Sequence, residues 1–313
     1  MKSNVCLVII YNHNYEENYE TLQKIYSTRF SHILHLIPFT TRSEQNIIPV
    51  YGNSFFFGSY ISQASQKIQN TSSDYYFFVA DDVLLNPAIN EDNFKHHFGV
   101  EENQAYLPYF TDLGTLQKFW LRSLDAIIWK PRKKGLEVDR FLPTYDTWLK
   151  RFVDLKISNR VSLKSILGIS GQDFLILDRK LKRIEFRWKL LLLTILSQVL
   201  SLNAFAKWIL RGGRPVRPLV GGYVDLFIIP KKYFGGFSNL LGVLSALELH
   251  VELAIPTSFV MQEGLRVSTD QELLVIGETQ NPMKFWDELN SSFLFPSNLL
   301  YLHPVKLSKY LQV

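Results

Sequence analysis

Cysteine is nearly absent from this sequence, since Cys6 is the only one among 313 residues. A lone thiol can form neither an internal disulfide nor a zinc site of several cysteines, and it is typical of a reducing compartment. The apolar segment Val5–Ile10 is too short for a secretory leader and is followed directly by polar residues. We therefore expect a cytoplasmic location.

Two glycine-rich motifs that bind phosphate groups are also missing. No Gly-x-Gly-x-x-Gly pattern follows the first apolar segment, where Tyr11-Asn12-His13-Asn14 stands instead. No Gly-x-x-x-x-Gly-Lys-Ser/Thr loop occurs in the chain. These absences argue against a nicotinamide dehydrogenase and a P-loop enzyme.

The excess of positive charge is small, because 34 Lys and Arg face 29 Asp and Glu for a net charge of +5. This balance argues against a dedicated nucleic-acid binder, so we expect no nucleic-acid partner. Hydrophobic residues make up 47% and charged residues 20% of the chain, which is the composition of a globular protein.

Short apolar runs alternate with helical patterns over the first hundred residues. Continuous apolar strands separated by helices predict an α/β fold with a parallel sheet covered on both faces. Functional groups in such sheets collect at the carboxyl ends of the strands. The predicted strands are Val5–Ile10, Ile33–Ile37, Ile47–Val50 and Tyr75–Ala80, and the predicted helices are Glu16–Phe30 and Phe56–Gln69.

An acidic pair, Asp81-Asp82, follows the last of these strands. Two adjacent carboxylates repel each other unless a cation or a donor lies between them. Hard divalent cations bind carboxylate oxygens together with the oxygens of a substrate phosphate. The pair therefore predicts a seat for a metal-bound diphosphate, the alternative being a solvated turn.

The C-terminal segment His303-Pro304-Val305-Lys306 adds an imidazole that can ligate a metal and an ammonium that can neutralise phosphate. With the acidic pair, these residues form a set suited to a nucleoside diphosphate and its metal.

Two further carboxylates are candidate functional groups. Asp225 interrupts the apolar strand predicted over Tyr223–Ile229, where a buried carboxylate needs a partner. Glu252 lies four residues after Glu248, on one face of a helix predicted over about 237–253, before a strand-like stretch at Ala254–Met261. Glu252 could deprotonate an acceptor hydroxyl. The alternative for Asp225 is a solvent-facing position on the strand. An exposed helix face is the competing interpretation, above all for Glu248.

Three segments resemble bacterial glycosyltransferases of the GT-A fold that build surface polysaccharides such as O-antigen and capsule. They are Gly222-Tyr223-Val224-Asp225-Leu226-Phe227-Ile228-Ile229-Pro230-Lys231, Val251-Glu252-Leu253-Ala254-Ile255-Pro256-Thr257 and His303-Pro304-Val305-Lys306-Leu307-Ser308. The positions of Tyr11-Asn12 after the first strand and of Asp81-Asp82 after the fourth fit the same resemblance. It covers most of the chain except roughly 150–215.

The resemblance implies a Rossmann-like, nucleotide-sugar-binding sheet and a hexosyltransferase activity. A sugar would move from a nucleotide-sugar, of UDP type, to a hydroxyl of a glycan carried on a polyprenyl diphosphate, with inversion. The family motif is Asp-x-Asp, and here the triplet is Ala80-Asp81-Asp82. The implied metal ligands for Mn²⁺ or Mg²⁺ are Asp82 and His303. The implied catalytic base is Glu252, with Asp225 as the second choice. Donor binding is expected from Tyr11, Asn12, Asp81 and Lys306. Tyr109, Trp120 and Trp129 are candidates for stacking on acceptor sugars, a core position being the alternative for each.

We expect a single domain over residues 1–313. Its parts are a nucleotide-sugar-binding half (1–104), an acceptor region (105–178), an inserted basic-hydrophobic segment (179–217) and a catalytic half with a donor-binding tail (218–313). The missing first acid of the motif favours one alternative, a catalytically inactive GT-A-like protein that binds glycan or scaffolds a polysaccharide assembly complex.

The inserted segment contains ten Lys and Arg but only one acid, Glu185, around the Leu-rich stretch 190–206. That stretch is too short and polar to span a bilayer, which takes about 20 apolar residues. Basic flanks and terminal tryptophans suit a helix at an anionic membrane surface, so we expect peripheral association with the inner face of the cell membrane. A buried core helix is the alternative.

Overall fold

The computed structural model describes residues 4–167, 202–273, 276–278, 295, 299–305 and 307. The chain divides into two compact units, Met1–Phe110 with Gly222–Val313, and Thr111–Gly221. The sequence predicts one domain with internal boundaries after residues 104, 178 and 217. The boundaries between the two units, after residues 110 and 221, fall close to the first and the last of these.

The first unit is built on a seven-stranded sheet in the order β10-β6-β9-β4-β1-β2-β3, with β11-β12-β5 as a separate three-stranded sheet and β7-β8 as a two-stranded one. Strands β4, β1, β2 and β3 run parallel, whereas β9 runs antiparallel to β4 and β6. The strands are β1 Val5–Ile10, β2 His32–Pro38, β3 Ile47–Val50, β4 Tyr75–Ala80, β5 Leu84–Leu85, β6 Gln104–Tyr106, β7 Tyr109–Asp112, β8 Val220–Tyr223, β9 Leu226–Pro230, β10 Arg266–Ser268, β11 Ile276–Glu278 and β12 Leu299–Leu302.

The helices lie between these strands and throughout the second unit, with short 3-10 turns at Ser54–Phe56 and Val138–Phe141. They are α1 Asn18–Ser27, α2 Gly58–Gln69, α3 Phe94–Phe98, α4 Leu121–Ile128, α5 Tyr145–Asp154, α6 Leu163–Leu167, α7 202–210, α8 Lys231–Ala246, α9 Val251–Val260 and α10 Asp270–Leu273.

Both faces of the sheet are covered, as the continuous apolar strands predict. Every side chain of β1 and β4 is buried. Phe77 packs against Phe30 and Phe98 on one face. On the other face Phe78 stacks on Phe227 and Phe234, and α8 packs against α2. The predicted strands Val5–Ile10, Ile47–Val50 and Tyr75–Ala80 are confirmed, and the fold is mixed α/β with a mostly parallel sheet.

Among the described residues, the sheet ends at β3, a four-residue edge strand that contains Pro49. Its register pairs Ile37 with Pro49 and Pro38 with Val50. Proline has no backbone N–H, which confines it to edges or bulges of a sheet.

The sequence prediction is wrong in the C-terminal half of the first unit. The strand predicted over Tyr223–Ile229 is interrupted at Val224 and Asp225, which separate β8 from β9. The strand-like stretch Ala254–Met261 is helical as far as Val260. The prediction missed this helix because α9 is buried nearly all round and shows no polar face. Glu248 lies in a turn with φ 55°, so it does not share a helix face with Glu252.

The second unit packs around Trp148, which is fully buried and whose Nε1 donates to the carbonyl of Pro218 at 2.7 Å. The guanidinium of Arg217 lies 5.2 Å from the centre of the Trp148 ring. Most of the predicted inserted segment, residues 179–201, lies outside the described residues. In the part of the chain that is described, no helix combines the length and apolar character needed to cross a membrane.

Candidate functional site

The acidic pair lies at the carboxyl edge of the sheet, where the parallel strands β1 and β4 end in register at Ile10 and Ala80. The backbone N–H of Asp81 donates to the carbonyl of Ile10 at 2.9 Å. The carbonyl of Asp82 accepts from the N–H of Val305 at 2.7 Å. The end of β4 is thereby fastened both to β1 and to the C-terminal segment.

The Asp81 carboxylate is only 4% exposed. Its Oδ1 accepts from the backbone N–H of Asn12 at 3.4 Å, and its Oδ2 accepts from Nδ2 of Asn18 at 3.2 Å. Burial and the adjacent charge of Asp82 raise the pKa of Asp81 to about 7, against the lowering effect of these two donors. The Asp81 carboxyl group therefore changes its protonation state near neutral pH.

Asp82 and Asp225 converge on His303. Nε2 of His303 lies 3.4 Å from Oδ1 of Asp82 and 3.7 Å from Oδ2 of Asp225. The strand pairing of β12 with β5, which joins Leu302 to Leu84, brings His303 to this edge although it lies more than 200 residues from Asp82. Burial lowers the pKa of His303, but the carboxylates of Asp82 and Asp225 raise it by more, so the net shift is upward.

Asp225 itself has a pKa raised to about 6. Burial is the largest cause, and the negative charges of Asp82 and Glu252 add to it against the lowering effect of His303. Glu252 is therefore close enough to act on Asp225. The Glu252 side chain is 34% exposed, and its Oε2 lies 3.6 Å from Nδ1 of His250, which also caps the N-terminus of α9.

Three buried polar atoms of this cluster have no hydrogen-bond partner among the described residues. They are Oδ1 of Asp82, Nδ1 of His303 and the hydroxyl of Tyr223. An unsatisfied buried polar group costs about 1–3 kcal/mol, so these three atoms are available to bind a ligand.

An aromatic cluster packs against His303. The ring of Tyr223 meets the ring of His303 edge-on at 5.4 Å and stacks on Tyr301 at 6.2 Å. The hydroxyl of Tyr301 donates to Oδ2 of Asp270 at 2.7 Å, and that of Tyr106 donates to the other oxygen of Asp270. Tyr223 therefore links His303 to the hydrogen-bonded group of Tyr301, Tyr106 and Asp270.

A cavity of about 240 Å³ opens beside the acidic pair. It is lined by Asn12, His13, Tyr15, Asn18, Asp81, Asp82, Val305 and Leu307. The sequence prediction included Asn12 and the two aspartates but missed His13, Tyr15 and Asn18. The polar loop after β1 is a signal for them, since the same edge argument extends to the first turn of α1.

Tyr11 does not line this cavity, contrary to its predicted role in donor binding. Its side chain is fully buried, and its hydroxyl lies 3.0 Å from Nδ1 of His35. Nε2 of His35 lies 2.9 Å from Oε1 of Gln23, which also accepts from Asn46. Because this amide oxygen can only accept, His35 carries its proton on Nε2 and Nδ1 accepts from Tyr11.

The other predicted binding residues fall in different places. Tyr109 is 50% exposed, whereas Trp120 and Trp129 belong to the second unit. Trp129 is 7% exposed and offers little surface for stacking on a sugar. The Trp120 ring lies directly over Gly221, where a Cβ would approach it to 2.3 Å. Lys306 lies outside the described residues.

The residues at the edge fit a metal ion only in part. Within the described residues, no three His, Cys, Asp or Glu side chains form a group suited to a metal on their own. Asp82 and His303 nevertheless present an oxygen without a hydrogen bond and an imidazole nitrogen 3.4 Å apart. Mg²⁺ is often held by one or two carboxylates with substrate phosphates supplying further oxygens. The pair therefore fits a metal that arrives with a phosphorylated ligand.

Comparison of the chain with protein-family models and with curated proteins finds no match. What the protein does must therefore follow from the chemistry of its site.

Proposed function

We propose that the protein is a glycosyltransferase with a GT-A-like first unit, moving a sugar from a nucleotide-sugar to a hydroxyl of a lipid-linked surface glycan. The observation that carries the proposal is the convergence of Asp82, Asp225 and His303 beside a polar cavity at the carboxyl edge of a parallel sheet. Ligands of α/β sheets bind at this edge. The unsatisfied atoms of the cluster are suited to a charged, oxygen-rich ligand.

Donor binding falls to the cavity. Its volume of about 240 Å³ is below the roughly 300–1,000 Å³ typical of pockets that enclose a whole ligand, so only part of a nucleotide-sugar is enclosed. Asp81 and Asn12 would bind the ribose or the donor sugar through hydrogen bonds. Asp82 and His303 would hold Mn²⁺ or Mg²⁺ when it is bound, and the ion would then offset charge on the departing diphosphate. A role for Lys306 at that diphosphate stays a prediction.

We assign the general base to Asp225, with Glu252 as the alternative. A base works best when its pKa lies near the operating pH, and the pKa of Asp225 is raised to about 6. Its carboxylate takes the proton of the acceptor hydroxyl as the hydroxyl oxygen bonds to the anomeric carbon. The bond from that carbon to the diphosphate oxygen breaks in the same step, which inverts the anomeric configuration.

The acceptor determines where the protein works. A glycan carried on a polyprenyl diphosphate stays at the membrane, so the proposed enzyme is cytoplasmic and associates peripherally with the inner face.

A screen of nucleotide-sugars for thermal stabilisation, with and without Mn²⁺, tests the proposal. Binding of at least one donor is expected to raise Tm, because a ligand that binds only the folded state stabilises it. Failure of every donor to bind would overturn the proposal. Binding without any turnover on lipid-linked acceptors would favour the inactive glycan-binding or scaffold protein instead. Loss of the Mn²⁺ effect in Asp82→Asn would support the assigned ligands.

Tyr11→Phe is expected to destabilise the protein without weakening donor binding. The change leaves the buried Nδ1 of His35 without its donor, which costs about 1–3 kcal/mol of the free energy of unfolding. Urea unfolding and a donor titration measure the two effects separately. Unchanged stability together with weaker donor binding would show that Tyr11 contributes to donor binding after all.

A further inference from the structure

One face of α7, in the second unit, is apolar and exposed. Leu202, Ile209 and Leu210 are 66%, 56% and 84% exposed, and Ala206 is exposed between them. With 3.6 residues per turn, these four positions form a single stripe along the helix. We call them the α7 stripe.

The opposite side of α7 makes the contacts that hold the helix in place. Ala204 is fully buried, and Nε1 of Trp208 donates to the carbonyl of Val161 at 2.7 Å. Among the described residues of the second unit, the α7 stripe is therefore not the face by which the helix packs.

Positive charge borders the stripe at Lys207, which follows Ala206 on the helix. Arg211 follows the helix and donates from Nη1 to the carbonyl of Ile127 at 3.2 Å, at the end of α4. Burial lowers the pKa of Lys207, and the charges of Lys130 and Arg211 lower it further, so the three cations are close together. From residue 202 to residue 217 the sequence contains four Lys and Arg and no Asp or Glu.

We propose that the α7 stripe, with Lys130, Lys207 and Arg211, is a surface that docks on an anionic lipid membrane. Apolar side chains on one helix face enter the headgroup region, while neighbouring cations attract anionic headgroups. This combination is complementary to a bilayer surface, because a bilayer offers an apolar layer directly beneath a negatively charged one. In this proposal the nine described residues of the helix lie along the membrane surface.

This surface bears on the peripheral location proposed above, but its test requires neither donor nor acceptor. A failure to bind vesicles would therefore leave the proposed transfer reaction untouched, and a failure of sugar transfer would leave the proposed membrane surface untouched.

The test is co-sedimentation of the full chain with two kinds of vesicle. One is phosphatidylcholine alone, and in the other about one lipid in three is the anionic phosphatidylglycerol, which gives the vesicle a negative surface potential. Binding is expected only to the anionic vesicles and should weaken in high salt. Lys130→Gln with Lys207→Gln should weaken partitioning about 30-fold, or about fivefold for each cation. Leu210→Ser should weaken it about tenfold through lost apolar burial.

Val153→Ser is the matched control, because Val153 is an apolar residue of the same unit that is 63% exposed on α5. It should leave vesicle binding unchanged. Wild-type levels of binding in the Leu210→Ser and double-lysine variants would overturn the proposal. So would a large fall in Tm of Leu210→Ser with unchanged vesicle binding, which would make the stripe part of the core. A dimer that Leu210→Ser converts to a monomer, without an effect on vesicles, would assign the stripe to a second copy of the chain.

Discussion

Replacing Asp225 by Asn is expected to lower kcat for sugar transfer by about 10²–10⁴-fold, the contribution typical of a general base. Asn is close to Asp in shape but cannot accept the proton of the acceptor hydroxyl. In the unmodified protein the rate should fall as the pH drops through the pKa of Asp225, which burial and the charges of Asp82 and Glu252 raise above its ordinary value. The pH dependence of kcat in both proteins measures the effect.

Glu252→Gln is the matched control. It also removes one negative charge near Asp225 while preserving the shape of the side chain. Transfer should decrease little, and the acidic limb of the pH profile should move to lower pH. A larger loss of kcat in Glu252→Gln than in Asp225→Asn, with both proteins folded by circular dichroism, would make Glu252 the base.

The free energy of unfolding is expected to fall by up to about 4 kcal/mol as the pH rises from below 4 to above 7, because of Asp81 alone. Its pKa is raised from 3.8 to about 7, first by burial and then by the charge of Asp82. Between these values the folded protein keeps a proton that the unfolded chain has released, so stability declines as the pH rises. A shift of about three units at 1.36 kcal/mol per unit gives the stated magnitude. The raised pKa values of Asp225 and His303 act in the same direction.

Urea unfolding of wild type and Asp81→Asn from pH 4.5 to pH 8 isolates this contribution as the difference between the two profiles. The variant should lose less stability as the pH rises, because an amide does not titrate. Asp154→Asn, at an exposed position of α5, should follow the wild-type profile. Profiles of equal steepness in wild type and Asp81→Asn would contradict the environment described for Asp81.

The sequence predicts the central sheet well because the signals are local. Strands β1, β3 and β4 are apolar runs bounded by polar residues, and their predicted limits match the structure. Helix α9 is missed for the opposite reason, since nearly all of its side chains are buried and no polar face reveals the helical period. An apolar run of this kind is compatible with either a strand or a buried helix.

The sequence predicts a site residue only where that residue directly follows a strand, because the end of the strand then fixes its place at the edge of the sheet. Asp81, Asp82 and Asn12 follow strands, so the edge argument finds them. Tyr11 also follows a strand, but it continues the alternation of Leu7 and Ile9 and points beneath α1, where the sequence offers no sign of its partner His35.

The support of His303 has no signal in the sequence. Asp270 and Tyr301 meet only because the fold brings β12 beside the sheet, and neither follows an apolar strand in the way that Asp82 does. Contacts between residues this far apart depend on tertiary packing that single-sequence patterns do not encode.

Pro49 has a consequence for how copies of this protein behave when they are crowded. An open strand at the edge of a sheet offers its backbone to strands of other molecules, and pairing of that kind leads to aggregation. Strand β3 is only four residues long, and Pro49 has no N–H to donate to an incoming strand. Extension of the sheet into a neighbouring copy is thereby disfavoured at this edge.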